Sequence, residues 1–507
     1  MKMNKKNTAW ILSAAALFMS AVPAQAAVYS GPILLPLEYL NDYDEDPYTC
    51  YGTGLIRQIG LDEDAAEEYP ALAKKLDELS TQDREELAGQ FEEFTNDARE
   101  ARDEGGMEYE ASVEREIYPA RWDENVFSYL MTYSAYSGGA HGYYGYTGMN
   151  IDPASGNEIT AQDVFTDEEA LKAAIMEALE REYPDLIEAI DPDPLAGYGF
   201  DDGDTPFNFL VDPAGVTVIF NPYEIASYAA GAQFAAISFD EHPELFREPY
   251  KAQEGSYTKM INTALPVLVD ADGDGKSENL SVAARYGDYM QIDGYTVKLG
   301  DQETDLDSYC YSLRPFLART EDGHTFLYVE ITSDNDYRLL EVFDLSSGTP
   351  EYKETFQLAP ASERDSETGV YTLFWPVDPG NMLLSARSNI LSTYSGSRHY
   401  SADAEEVLKP AGERFTVSDG QTLTTVKELP ALLVDPVTGE EGEKVTVPAG
   451  EKLTITGTDG EKDADLTGED GRIFRVTLEE TEIDGSLIRT IDGERPEEYF
   501  EMLYYAG

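Results

Sequence analysis

Val126-Phe127-Ser128-Tyr129-Leu130-Met131-Thr132-Tyr133 is aromatic and β-branched and reads as a strand, lying between two helical patterns. Upstream, Tyr109 to Tyr118 alternates in the same way, and Gly105-Gly106 separates it from a long helical pattern over Asp62 to Asp103. In that pattern Leu72, Leu76 and Leu79 share one face, and Leu87, Phe91, Phe94 and Ala98 follow at spacings of three and four. Downstream, Asp152-Pro153-Ala154-Ser155-Gly156 is a turn. A second helix is expected from Thr166, with Glu169 completing a capping box, and it ends at Tyr183-Pro184. Strands at Phe207 to Val211 and Val216 to Phe220 flank Asp212-Pro213-Ala214-Gly215. Few helices among several strands predict an α+β domain over 27–245 rather than alternating βαβ units.

The polar segment 246–258 has no apolar period and marks an expected boundary. Beyond it the chain reads as short strands separated by Asp322-Gly323, Asp334-Asn335-Asp336, Ser347-Gly348 and Pro379-Gly380. Residues 259–420 are therefore expected to form an all-β domain, a sandwich or a propeller-like piece. Over 421–507, turns at Thr438-Gly439, Ala449-Gly450, Asp459-Gly460, Asp470-Gly471 and Asp492-Gly493 suit a small barrel. The expected chain is thus α+β and multi-domain.

Lys2, Lys5 and Lys6, the apolar run Ala9 to Val22, and Ala24-Gln25-Ala26 have the form of a secretory signal peptide cleaved after residue 26. No cysteine follows the run to take a lipid, so the mature form is expected to be secreted, extracellular and without a membrane anchor. The 507 residues carry a formal net charge of −63, and removal of the leader takes away three lysines and no acid. Such a balance excludes nucleic acid as an expected partner, because phosphate binding needs clustered cations. It favours encounters with basic partners. Cys50 and Cys310 are too few for a disulfide scaffold or zinc cluster, and their pairing is left open.

Two blocks of the N-terminal region carry a resemblance. The first is Tyr136-Ser137-Gly138-Gly139-Ala140-His141-Gly142, within Ser134 to Phe165; the second is Phe220-Asn221-Pro222-Tyr223-Glu224-Ile225-Ala226-Ser227-Tyr228-Ala229-Ala230-Gly231. Together with the preceding helix they make residues 60–245 resemble the extracellular domain of the lysozyme-responsive anti-sigma factor family, which also accompanies some peptidoglycan deacetylases. The resemblance implies a basic protein such as lysozyme, or cell-wall glycan, as partner. Tyr136, Ser137, Gly138, Gly139, His141, Tyr223 and Tyr228 are the candidate ligand-binding residues. The chain departs from the family in lacking a sigma-binding segment ahead of the apolar run and in lacking the paired histidines of a deacetylase domain. Val445 to Thr454 with Gly471 to Val476 resembles a bacterial SH3-type barrel, a module associated with cell-wall binding.

Asp270-Ala271-Asp272-Gly273-Asp274-Gly275-Lys276-Ser277-Glu278 places acids at positions one, three, five and nine, glycine at six and a backbone carbonyl at seven. That order matches the oxygen donors of a calcium loop. Position twelve is Ser281, and the flanks alternate like strands, so the loop resembles the β-hairpin calcium loops of integrin-type repeats rather than an EF-hand. Asp270, Asp272, Asp274, Lys276 through its carbonyl, and Glu278 are the candidate ligands. No HExxH, GxSxG, P-loop or Cys-His signature is present. A non-enzymatic binding protein is expected, with a cell-wall glycan hydrolase using an unrecognised carboxylate site, or a purely structural surface protein, as alternatives.

Overall fold

The computed structural model describes residues 30–506 except 45, 47, 186–193, 201–204, 288–290, 365–370 and 484–485. The expected leader, residues 1–26, lies outside the described residues. The chain is mostly β, and the α-helices among the described residues all fall between residues 63 and 182. No helix among the described residues is long and apolar enough to cross a membrane.

Two short strands open the chain, β1 (Pro32–Leu34) and β2 (Glu38–Tyr43), followed by β3 (Cys50–Ile56) and β4 (Ile59–Leu61). Helix α1 (Glu63–Glu68) starts at Asp62, whose carboxylate accepts from Ala65 N at 2.9 Å. Helix α2 (Pro70–Asp103) begins with a proline in its first turn, where no intrahelical N–H is lost. Its buried stripe, Leu72, Leu76, Leu87, Phe91 and Ala98, covers a five-stranded sheet in the order β2, β3, β5 (Ala111–Trp122), β6 (Phe127–Tyr136) and β7 (Tyr143–Ile151). Leu87 and Phe91 share a core with Ile56, Val113 and Ala135, each large side chain contributing about 1.5–3 kcal/mol by leaving water. The parallel pair β3 and β5 is joined through the helices; β5, β6 and β7 run antiparallel.

Helix α3 (Ala161–Val164) carries the capping box, formed by Thr160 and Asp163. The helix predicted to begin with a Thr166 cap is α4 (Glu168–Glu182), and its cap is Asp167, whose carboxylate accepts from Ala170 N at 2.7 Å. The Thr166 hydroxyl instead donates to the carbonyls of Glu244 and Leu245. Leu171, Ile175, Ala178 and Leu179 of α4 pack on the sheet β8 (Phe209–Val211), β9 (Gly215–Phe220) and β10 (Gln233–Ser238). Within 246–258, Phe246 is buried against Phe239 and Phe165, and Arg247 Nε donates to Phe165 O at 2.9 Å.

Next come β11 (Tyr257–Met260), β12 (Val267–Val269), β13 (Glu278–Tyr286), β14 (Ile292–Leu299), β15 (Gln302–Cys310), β16 (Ser312–Arg319), β17 (Thr325–Thr332), β18 (Arg338–Asp344) and β19 (Glu351–Phe356). They form two antiparallel sheets, β12 to β15 in order, and β11 with β16 to β19. One apolar core takes Val267, Val282, Tyr295 and Val297 from the first sheet and Leu317, Leu327, Val329 and Phe343 from the second. Cys50 and Cys310 are both free thiols.

Residues Tyr29–Ser385 with Tyr400–Pro410 make one compact unit, and Ala386–His399 with Ala411–Gly507 another. In the latter the strands Lys452–Thr458, Asp463–Gly468, Ile473–Thr477, Leu429–Val434 and Glu441–Val447 lie side by side in that order. The barrel expected over 421–507 does not close among the described residues. The path ends at Glu441–Val447, whose Glu441, Glu443 and Lys444 face solvent, a charged edge that resists further pairing.

Candidate functional site

Strand β7 is the last of its sheet, so alternate N–H and C=O groups along its outer edge need partners. Asparagine amides supply them where a neighbouring strand otherwise would. Asn221 accepts from Tyr146 N at 2.7 Å and donates to Tyr146 O at 3.1 Å. Asn208 donates to the same carbonyl and accepts from Gly148 N at 3.0 Å. Asn150, on β7 itself, bridges to Phe209 O and Val211 N. This stitching brings the segment after β9, which begins with Asn221, beside the turn between β6 and β7.

In that turn Gly138 and Gly139 take φ of +91° and +98°, a region open to glycine at little cost. A Cβ on Gly138 would stand 2.8 Å from the Tyr109 ring, so the turn can only close over Tyr109 without one. The Tyr136 ring meets Tyr109 edge-on at 5.8 Å, and its hydroxyl donates to Gly139 O at 3.1 Å. Tyr136, Ser137, Gly138 and Gly139 therefore form the frame of the turn. His141 does more. Its ring is stacked on Tyr228 with centroids 4.1 Å apart and planes 23° apart. His141 Nδ1 lies 2.9 Å from Gly142 O, and Tyr228 donates to that same carbonyl at 2.8 Å.

Two more rings extend the stack: Tyr144 meets Tyr228 edge-on at 5.9 Å, and Tyr223 lies 5.5 Å from it. Tyr223 is 68% exposed and adopts φ of +76°, a left-handed conformation costing a bulky residue about 1–2 kcal/mol. Its neighbours hold it there. Glu224 accepts from Asn221 N at 2.9 Å, and Ile225 is buried in the core. Strain of this kind persists only where the surrounding structure over-determines it.

The Asp-rich loop is the turn of the β12–β13 hairpin, with Val269 paired to Glu278. Asp270, Asp272 and Asp274 each bring a carboxylate oxygen within 4.8 Å of the others. Oxygens held at about 2.3–2.6 Å from one calcium ion stand no more than about 5 Å apart, so the set fits. Asp270 Oδ1 is a buried oxygen without a hydrogen-bond partner. Asp270, Asp272 and Asp274 also accept from the backbone N–H groups of Gly275, Asp274 and Lys276, which shape the loop. Glu278 accepts from Ala271 N at 3.1 Å. Burial, then the charges of Asp272, Asp270 and Asp274, push its carboxyl above the ordinary range.

A cleft of about 510 Å³ opens beside α3, lined by Met149, Ile159, Phe200 and Phe207 with Glu158 and Gln162. Glu158 is its one lining carboxylate among the described residues, and Lys75 Nζ holds it at 2.8 Å.

Tyr109, Asn208 and Asn150 were not among the candidates from sequence. Their roles come from packing and edge pairing, which leave no periodic signal.

No curated protein matches the chain. Among solved structures it is similar to a DUF3298 family member from Bacteroides fragilis, with TM-score 0.33 and 19% identity over 44% of this chain and 96% of that one. It is also similar to a DUF3298 family protein from Pseudomonas aeruginosa PAO1, with TM-score 0.30 and 15% identity over 44% of this chain and 98% of that one. The family model that matches the chain is described as a protein of unknown function, DUF3298, and it spans residues 162–240, the stretch that holds Tyr223 and Tyr228.

Proposed function

We propose that this chain is a secreted, non-enzymatic binding protein of the bacterial cell surface or wall. It recognises a basic protein such as lysozyme, or cell-wall glycan, through His141, Tyr228, Tyr223 and Tyr144. The observation that supports this reading is the stack of His141 on Tyr228. It joins the two blocks that carry the resemblance to the lysozyme-responsive domain and leaves Tyr223 extended into solvent. Tyrosine suits such a surface, because it offers an apolar face and a polar tip with few rotamers to order. The acidic balance of the chain steers a basic partner toward it. In the same proposal Asp270, Asp272 and Asp274, with Glu278 and the Lys276 carbonyl, hold calcium, and the C-terminal unit serves as an SH3-like wall-binding part.

The test is lysozyme binding at low and at physiological salt by the mature chain, by Tyr223→Ala and Tyr228→Ala, and by an acidic control protein of equal charge. Exposed charges farther apart than about 8 Å are largely screened at physiological salt, so binding that rests on the field alone fades there. Recognition by the cluster persists, and each substitution costs about 1–3 kcal/mol, mostly through faster dissociation. Silent substitutions with equal binding by the control protein would sink the proposal for lysozyme; the same variants against purified cell wall then decide the glycan.

A further inference from the structure

Away from the aromatic cluster, Tyr309 at the end of β15 and Tyr311 just before β16 both reach solvent, 46% and 58% exposed. Their rings meet edge-on with centroids 5.6 Å apart. Tyr311 Oη lies 2.7 Å from Asp334 Oδ1, and Tyr309 Oη lies 3.3 Å from Tyr311 Oη. A carboxylate can only accept, so Tyr311 donates to Asp334 and Tyr309 donates to Tyr311. Both hydroxyl protons are thus committed within the chain of bonds. Hydrogen bonding with Tyr309, then with Asp334, also keeps the Tyr311 phenol protonated well above its ordinary value.

What the patch presents outward is two ring surfaces, the lone pairs of Tyr309 Oη and an exposed carboxylate. Tyr309, Tyr311 and Asp334 themselves offer acceptors and π faces but no uncommitted proton. The nearby cations are engaged elsewhere: Arg314 and Arg338 flank the buried Glu330 at 3.1 and 2.6 Å, and Arg285 is paired with Asp307 at 2.6 Å. A sugar hydroxyl could donate to these three side chains, but its lone pairs would meet no free proton on them. A guanidinium is the complement on every count, being planar, cationic and equipped only with donors. It stacks on tyrosine while donating to a carboxylate.

We propose that Tyr309, Tyr311 and Asp334 form a subsite for an arginine side chain presented by a basic polypeptide. The subsite is separate from the His141–Tyr228 cluster and stands or falls independently of it.

The probe is a hexa-arginine peptide carrying a photoreactive benzophenone, titrated against the full chain at physiological salt and then irradiated. Crosslinks are expected at 309–311 and 334–338. Asp334→Asn and the double variant Tyr309→Leu with Tyr311→Leu should each reduce them about fivefold or more. Glu303→Gln removes an equal charge from an exposed side chain farther along β15 and should change them less than about twofold, because a general field barely senses one charge. Unchanged melting of the exposed-site variants confirms that they fold. Equal losses for Asp334→Asn and Glu303→Gln, or crosslinks scattered over the acidic surface, would overturn the proposal.

Discussion

The acidic loop and the aromatic cluster are assembled in opposite ways. All the carboxylates of the loop lie within residues 270–278, and the hydrogen bonds that those carboxylates accept come from near neighbours in the chain, although Ser277 also donates to Asp240 and Arg319 to Asp270 O. In the cluster, Tyr228 reaches a carbonyl 86 positions away, and asparagine amides across an open sheet edge hold the two segments together. The loop also gathers like charges that a cation would relieve, whereas the hydroxyl of Tyr228 already has its hydrogen bond without a ligand. A site made by local chain geometry tolerates backbone change nearby; a site made by tertiary packing does not.

The largest expected effect tests that statement directly. A Cβ on Gly148 would stand 2.0 Å from the carbonyl oxygen of Phe209, and only separation of β7 from β8 could relieve the clash. Gly148→Ala should cost about 3 kcal/mol or more and abolish binding at the cluster. Gly273, in the loop, has φ of +74° and nothing within 4 Å of an added Cβ. Its change to Ala should cost only about 1–2 kcal/mol. Urea unfolding of both variants measures the difference, and equal losses would erase the contrast.

Calcium should produce the next effect. A ligand at a hundred times its dissociation constant stabilises the folded state by about 2.7 kcal/mol. The melting temperature should rise in calcium and return in chelator for the native chain and for Tyr228→Ala alike, but not for Asp272→Asn with Asp274→Asn. Melting that ignores calcium in all three would remove the cation from the loop.

The smallest effect sharpens the reading of the strained tyrosine. Tyr223→Gly relieves the left-handed backbone and should raise stability by about 1 kcal/mol or less, while weakening lysozyme binding. A loss of stability instead would mean that the ring supports the fold.

Much of this molecule could be read from local pattern. Each of the five glycine turns expected over 421–507 has its glycine at positive φ: Gly439, Gly450, Gly460, Gly471 and Gly493. The apolar spacing of Leu72 to Ala98 became the buried stripe of α2, and the Asp-rich run became the turn of a hairpin. Period, turn chemistry and donor order are properties of neighbours along the chain, so their energies are already set by residue type. The Thr166 cap, the closure of the C-terminal sheet, and the meeting of His141 with Tyr228 were decided differently. Thr166 gave its hydroxyl to carbonyls nearly eighty residues away, and Glu441–Val447 remained an edge because its exposed side chains are charged. His141 found Tyr228 because asparagines replaced a missing strand along β7. These outcomes depend on which backbone groups are left unpaired after the sheets form, and that is known only once the whole chain has folded.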